Sequence, residues 1–341
     1  MTDVVRAAIG RVAEGGELDR ATASAVMDAV MLGEVESAQF GAIFAMLRAR
    51  GETVDELTGF ATTMRAHVVR AEAPTGAIDT CGTGGDGADT FNVSTCAALV
   101  AAGAGAVVAK HGNRAVSSKC GSADVLEALG GTLETTPAEV ALSLEDAGFA
   151  FLYAPAFHPA MSHAGAPRRA LGMRTAFNLL GPITNPTGLT RQVVGVSDAD
   201  AATRIAEVLR ELGCERALVV YGADGLDELT LADRSIVLDV TPDGVQRREI
   251  TPEEVGLTRA PTSALVGGDA AENARMLRAV LEGTQGPTRD VVLMNAAAAI
   301  VVAELAADLV EGVVLAARAI DTGAALDRLD RWVARTTEVA A

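Results

Sequence analysis

Along the first part of the chain, apolar positions recur at three- and four-residue spacing through 4–12, 18–31, 38–47 and 54–68. That is the period at which an α-helix turns one face toward a core. Thr53 followed by Glu56 has the reciprocal side-chain pattern that opens a helix, here the fourth of these segments. No alternating β-branched run separates them. The pattern predicts a small all-helical N-terminal domain over residues 1–74, ending near Glu72, Ala73 and Pro74.

From Ala77 the pattern changes to short apolar runs alternating with helical ones. The predicted strands are 77–81, 106–109, 150–153, 192–196, 217–221 and 236–240. Helical patterns at 94–102, 122–129, 137–147 and 199–212 lie between several of them, and the tail from Asp269 reads helical again. Such alternation implies an α/β domain over residues 75–341 with a mainly parallel central sheet covered on both faces. The two most apolar stretches are 93–109, which glycines interrupt, and 291–303, which Glu304 stops. Neither makes a good membrane-spanning helix.

Composition narrows the partners. Hydrophobic residues are 49% of the 341 but aromatics only 3%, so the core is built from Ala, Val, Leu and Ile. The net charge of −17 disfavours broad docking on nucleic acid or an anionic membrane, while leaving room for a small basic pocket. Cys81, Cys96, Cys120 and Cys214 are too few and too scattered for a disulfide framework and contain no CxxC pair. With an N-terminus that carries charges of both signs and no apolar leader core, they read as cytosolic thiols. A cytoplasmic protein is expected.

The sharpest chemical feature runs from Asp79 to Thr95, a predicted strand leading into a glycine-dense loop and then a hydroxyl-rich helix start. Glycines allow a backbone to approach an anion closely, and the free N–H groups of a helix start attract phosphate. Asn92, Ser94 and Thr95 add side-chain donors or metal-facing oxygens. Gly82, Gly84 and Gly87 satisfy GxGxxG literally, but a dinucleotide site also needs an acidic residue after the second strand. The second strand ends instead in Lys110, His111, Gly112, Asn113 and Arg114, and no Gly-Lys-Ser/Thr closes a P-loop. The loop suits several phosphate groups on a compact ligand.

Lys110–Gly121 concentrates Lys110, Arg114 and Lys119 beside the same sheet edge. Asp227 and Glu228 follow a strand and a glycine turn, and adjacent carboxylates there can hold Mg²⁺ together with substrate phosphates. The segment 157–186 carries His158, Arg168, Arg169 and Arg174 with Pro182 and Pro186; arginine suits carboxylate recognition.

Taken together, GTGGDG at 82–87, NVST at 92–95, KHGNRAVSSKCGSAD at 110–124, HPAM at 158–161, RTAFNLLGPITNP at 174–186 and GLDE at 225–228 resemble the anthranilate phosphoribosyltransferases, a tryptophan-biosynthesis family of the nucleoside phosphorylase/phosphoribosyltransferase superfamily. The resemblance implies a glycosyltransferase (pentosyltransferase) that moves 5-phosphoribosyl from 5-phosphoribosyl 1-pyrophosphate (PRPP) to the amine of anthranilate with Mg²⁺, releasing pyrophosphate. It also implies a homodimer formed through the helical domain, and a return of the chain to that domain near 165–186. By motif match, Gly82, Gly85, Asp86 and Thr90 grip the pyrophosphate-bearing ligand. Asn92, Val93, Ser94 and Thr95, with Lys110, His111, Gly112, Asn113, Arg114, Ala115, Val116, Ser117 and Ser118, hold phosphates and ribose, and Ser122 adds a contact. Ser94, Asp227 and Glu228 match metal positions, while Gly82, Asn113 and Arg168 match anthranilate contacts. His111 stands as a nearby polar helper. Cys120 departs from the serine that related sequences often have there. Three rivals are weighed against this, the last a plain structural module with no activity of its own. A pyrimidine-nucleoside phosphorylase shares the plan but has no use for the GLDE carboxylates. A nucleic-acid-binding relative is at odds with the acidity.

Overall fold

The computed structural model describes residues 2–115 and 119–339. The chain opens with four helices, α1 (Thr2–Ala13), α2 (Arg20–Met31), α3 (Ser37–Arg50) and α4 (Val54–Ala66). Phe40, Phe44 and Phe60 are buried and touch one another in series. At the head of α4, Thr53 and Glu56 cap each other as the sequence predicts. Glu56 is wholly buried yet fully used. Its carboxylate accepts from Leu18 N at 2.8 Å and Thr53 N at 2.9 Å, and pairs with Arg50.

The larger domain continues β1 (Ile78–Thr80), α5 (Val93–Gly103), β2 (Val108–Gly112), α6 (Ser122–Ala128), α7 (Pro137–Ala147) and β3 (Phe149–Tyr153). Three short helices come next, α8 (Ala154–Phe157), α9 (Ser162–Leu171) and α10 (Ala176–Leu180). After them follow β4 (Arg191–Gly195), α11 (Ala199–Glu211), β5 (Arg216–Gly222), β6 (Ser235–Thr241) and β7 (Gly244–Ile250), then α12 (Ala270–Leu281), α13 (Pro287–Val302), α14 (Leu309–Asp321) and α15 (Ala324–Val339). The sheet order is β3-β2-β1-β4-β5-β6-β7. The first five strands in that order pair in parallel, and β6 and β7 add an antiparallel edge. Val193, Leu218 and Val237 point into a core with α5, α13 and α15, while Val194, Val219 and Ile236 share the other core with α11 and the helical bundle. This is the period-two alternation of a sheet buried on both faces.

Two elements differ from the sequence reading. The apolar pattern does not predict β7: its residues Gln246 to Glu249 are exposed, as suits a charged strand that closes a sheet edge. β2 starts later and runs further than 106–109, so Lys110 and His111 lie inside the strand rather than in the loop after it. The chain also comes back to the bundle. α9 packs on α2 and α3 and α10 on α3 and α4, with the Phe177 ring 4.8 Å from Phe44 and 5.6 Å from Phe40.

Because removing one partner of a buried pair strands the other, Glu56→Ala should cost about 3 kcal/mol of stability. Urea unfolding followed by circular dichroism checks this; a loss below about 1 kcal/mol would show that the Arg50 and amide contacts carry little.

Candidate active site at the sheet switch point

Strand order reverses between β1, which leads to β2 on one side, and β4 on the other. In open parallel sheets this is where the connecting loops part and leave a crevice at the carboxyl ends of the strands. The loops after β1, β2 and β5 all reach it.

The glycine loop leaves β1 and is pinned at both ends. Thr83 N donates to Gly195 O at 2.8 Å at the end of β4. Gly84 N donates to Asp227 Oδ2 at 2.6 Å, and a Cβ on Gly82 would sit 2.8 Å from the same oxygen. Arg174 donates to Gly84 O at 2.7 Å and Thr83 O at 3.3 Å. At the far end, Phe91 N donates to Leu265 O at 2.9 Å and Thr90 pairs with Val266. Asn92 occupies the N-cap of α5 but makes no cap bond. Its side chain goes to Cys120 O at 3.2 Å and accepts from Asn273 Nδ2 at 3.0 Å. The N-cap side chain therefore leaves the start of α5 uncapped; Val93 N donates to Phe91 O at 2.7 Å, and the positive end of the helix favours an anion. Val93 and Thr95 are buried, and the Thr95 hydroxyl has no hydrogen-bond partner among the described residues.

Across the crevice Asp227 and Glu228 are half-buried between the buried Leu226 and Leu229. Burial and the neighbouring Asp86 charge push Asp227 up to about 7. Burial and Asp227 itself push Glu228 up to about 8, with Lys110 and the Ser94 backbone N–H pulling the other way. Their oxygens, with the Ser94 hydroxyl, make a hard donor set of the kind Mg²⁺ takes together with phosphate. Lys110 itself is buried, its ammonium donating to Thr80 O at 2.6 Å, Thr80 Oγ1 at 3.3 Å and Ser94 Oγ at 3.4 Å. It tethers the end of β1 to the start of α5.

The anticipated basic cluster thus divides. Lys110 turns inward, Lys119 is exposed, and Arg114 pairs with Asp124 and Glu127 while lying over the Tyr153 ring. Asp124 folds the loop after β2 by accepting from Ala115 N and Gly121 N, each at 2.9 Å. Asn113 O takes Ser122 Oγ at 3.3 Å. A Cβ on Gly112 would lie 2.3 Å from Ser122 Oγ, so only glycine fits there. Val116, Ser117 and Ser118 lie outside the described residues.

Beside this loop, His111 is buried with its ring 4.9 Å from His158. Burial and His158 lower His111 to about 3, and burial lowers His158 to about 4, so both are neutral near pH 7. Asp79 is held at about 6 by burial against the pull of Lys110. It accepts from Thr80 N, His111 N and Asn185 Nδ2 at 2.7, 3.1 and 2.8 Å. Ligand atoms of Asp79, Cys81 and His111 lie within 4.8 Å of one another, but both Asp79 oxygens are already taken by Thr80 N, His111 N and Asn185 Nδ2. Arg168 stands on α9 with its guanidinium 5.2 Å over the Phe177 ring; burial lowers its pKa.

Three residues shape the site in ways the sequence reading does not give. Arg174 opens a matching segment without being assigned a role by it. Asn185 bridges Asp79 and Ala109 O at 2.9 Å. Asn273 reaches Asn92 from α12, and no local pattern marks it.

Comparison with known proteins agrees with this geometry. A model described as the helical bundle domain of a glycosyl transferase family matches residues 6–68, and one described as that family's a/b domain matches 74–326. Anthranilate phosphoribosyltransferase from Rhodopseudomonas palustris is 52% identical over 326 residues, 96% of either chain. The crystal structure of the Thermus thermophilus anthranilate phosphoribosyltransferase superposes with a TM-score of 0.91 at 44% identity, covering 97% of this chain and 99% of that one. The Saccharomyces cerevisiae enzyme in complex with PRPP and Mg gives 0.91 at 26% identity and 99% coverage of each. Fold, switch-point site and sequence therefore agree, and the chain belongs to the anthranilate phosphoribosyltransferase family.

Proposed function

We propose that this protein transfers the 5-phosphoribosyl group of PRPP to the amine of anthranilate, releasing pyrophosphate, as a Mg²⁺-dependent step of tryptophan biosynthesis. The observation that carries the reading is the bond from Gly84 N to Asp227 Oδ2. It joins a phosphate-type loop to a carboxylate pair at the open N-terminus of α5.

Breaking the bond from ribose C1 to the diphosphate builds positive charge on the sugar and negative charge on the leaving group. The exposed Gly85 amide of the glycine loop, which has no partner among the described residues, the Thr90 region and the positive N-terminal end of α5 are the groups to stabilise the latter. Mg²⁺, when bound, neutralises diphosphate charge, and Asp227, Glu228 and Ser94 are the residues to hold it. Asn92 and the β2 end from Lys110 to Ala115, with Ser122, shape the ribose-phosphate side; Lys110 acts there through Thr80 and Ser94. On the acceptor side, Arg168 suits the anthranilate carboxylate, and the motif match assigns Gly82 and Asn113 to the same substrate. His111, neutral near pH 7, offers the amine a hydrogen-bonding ring nitrogen without adding positive charge next to the developing sugar cation. An aryl amine turns acidic once it has attacked C1, so no strong base is required.

A homodimer through the helical domain belongs to the same reading, and the half-exposed Leu32 at the end of α2 is an apolar residue such an interface would cover. A cytoplasmic location also belongs to it. No helix among the described residues is long and apolar enough to cross a membrane.

Purified protein given PRPP and Mg²⁺ should consume anthranilate, read as loss of its fluorescence; no loss at any Mg²⁺ concentration would refute the assignment. Arg168→Ala should raise the KM for anthranilate at least about tenfold and that for PRPP much less, so equal rises would remove its acceptor-side role. Replacing Asp227 by Asn and Glu228 by Gln should raise the Mg²⁺ concentration for half-maximal turnover by about tenfold or more; an unchanged Mg²⁺ dependence would clear them of it.

The carboxylates also set a pH dependence. Asp227 and Glu228 rise from ordinary values of 3.8 and 4.5 to about 7 and about 8 on folding. The folded state then holds more protons than the unfolded one across that window, so metal-free stability falls as pH rises through it. Thermal melts without metal at about pH 5.5 and about pH 8.5 should show that fall, and saturating Mg²⁺ should reduce it at the higher pH. A slope that Glu228→Gln leaves untouched would contradict it.

A further inference from the structure

Arg174 holds no place in the assignments above. It follows Gly172, the left-handed residue (φ 61°) that ends α9, and directly precedes Thr175, the N-cap of α10. From there its half-buried side chain crosses to the glycine loop. Nη1 donates to Gly84 O at 2.7 Å and Nη2 to Thr83 O at 3.3 Å. Those carbonyls belong to two successive peptide units.

A trans peptide is planar, with its C=O and N–H pointing in opposite directions, and no described peptide bond is cis. Gripping a carbonyl therefore aims the amide on the other side of the same unit. For the first unit the outcome is observed: Gly84 N–H, opposite Thr83 O, donates to Asp227 Oδ2 at 2.6 Å. For the second, Gly85 N–H lies opposite Gly84 O. Gly85 is exposed, and its N–H has no hydrogen-bond partner among the described residues. An open amide next to one already committed to a carboxylate is a seat for an anionic oxygen.

The sequence leaves room for this grip at one point only. A Cβ on Gly85 would fall 1.4 Å from Arg174 Nη1, so the guanidinium occupies the space of a side chain at that position. Gly85 also has φ 78°, where side-chain-bearing residues are strained.

We infer that Arg174 is a positioning residue for the donor substrate: by holding the Thr83 and Gly84 carbonyls it directs Gly84 N–H to Asp227 and presents Gly85 N–H to the diphosphate of PRPP. The inference rests on the function proposed above. It also ties the loop to the helical bundle, because Arg174 and Arg168 stand on either side of the Gly172 turn in the segment that packs there.

Calorimetric titration with PRPP and Mg²⁺, without anthranilate, tests it on wild type, Arg174→Ala and Arg174→Lys. The donor Kd should rise about tenfold or more in Arg174→Ala and distinctly less in Arg174→Lys, which keeps a cationic donor. The KM for anthranilate at saturating PRPP should stay within about threefold. Thermal melts report folding. Should Arg174→Ala not fold, Arg174→Lys and Gly85→Ala carry the test. Gly85→Ala sets a methyl against the guanidinium, and adding it to Arg174→Lys should cost less donor affinity than adding it to wild type. Unchanged PRPP affinity in the folded Arg174 variants, or equal losses for PRPP and anthranilate, overturns the inference. Wild type that binds no PRPP overturns the proposed function instead.

Discussion

Asp227 and Glu228 sit where burial opposes their ionisation and where each feels a neighbouring carboxylate's charge. Several surrounding contacts act to make that tolerable. Gly84 N and the Arg174 charge answer Asp227, while Lys110 and the Ser94 backbone answer Glu228. These counter-groups come from the loop after β1, the interior of β2, the start of α5 and the segment between α9 and α10. A carboxylate pair that needs four separate elements to balance it is an arrangement of function more than of stability, since apolar residues in its place would remove the desolvation cost. A hard divalent cation held by this pair would supply the missing positive charge.

The buried polar residues behind the crevice serve a different end. Asp79 is fully buried but accepts three hydrogen bonds, one each from its own strand, from β2 and from Asn185. Asn185 lies just after α10, so one carboxylate aligns two strand ends with the segment returning from the helical bundle. Lys110 plays the same part between β1 and α5. Because an unmet buried charge costs several kcal/mol, these residues specify one arrangement of the strand ends, and the loops that leave them start from fixed points.

What can be read from sequence follows the range of the interactions. α7 is legible to the residue, because Thr136, Pro137, Glu139 and Gly148 cap it locally. The four bundle helices and the loop-to-helix passage at 79–95 are legible for the same reason, as period and turn chemistry are local. β7 is not, because charged positions on an edge strand carry no apolar alternation. Lys110 and His111 look like a basic loop since charge at a strand end usually means solvent; only the partners at Thr80, Ser94 and Asp79 explain why they are inside. Asn185, Asn273 and the grip of Arg174 depend on approaches between distant parts of the chain, which no window of sequence contains.

The excursion through α8 to α10 gives the two-domain plan its chemical sense. A glycine loop held by the sheet alone would be indifferent to the bundle, and an arginine held by the bundle alone would be indifferent to the loop. Here Phe177 anchors α10 among Phe40 and Phe44 and also supports Arg168 from beneath, while Arg174 and Asn185 reach back to the strand ends. Packing of the bundle thus sets where both arginines stand. In a reaction whose catalysis comes mostly from positioning and electrostatics, the proposed roles of Arg168 and Arg174 would make that shared anchorage a means of holding the two substrates in register.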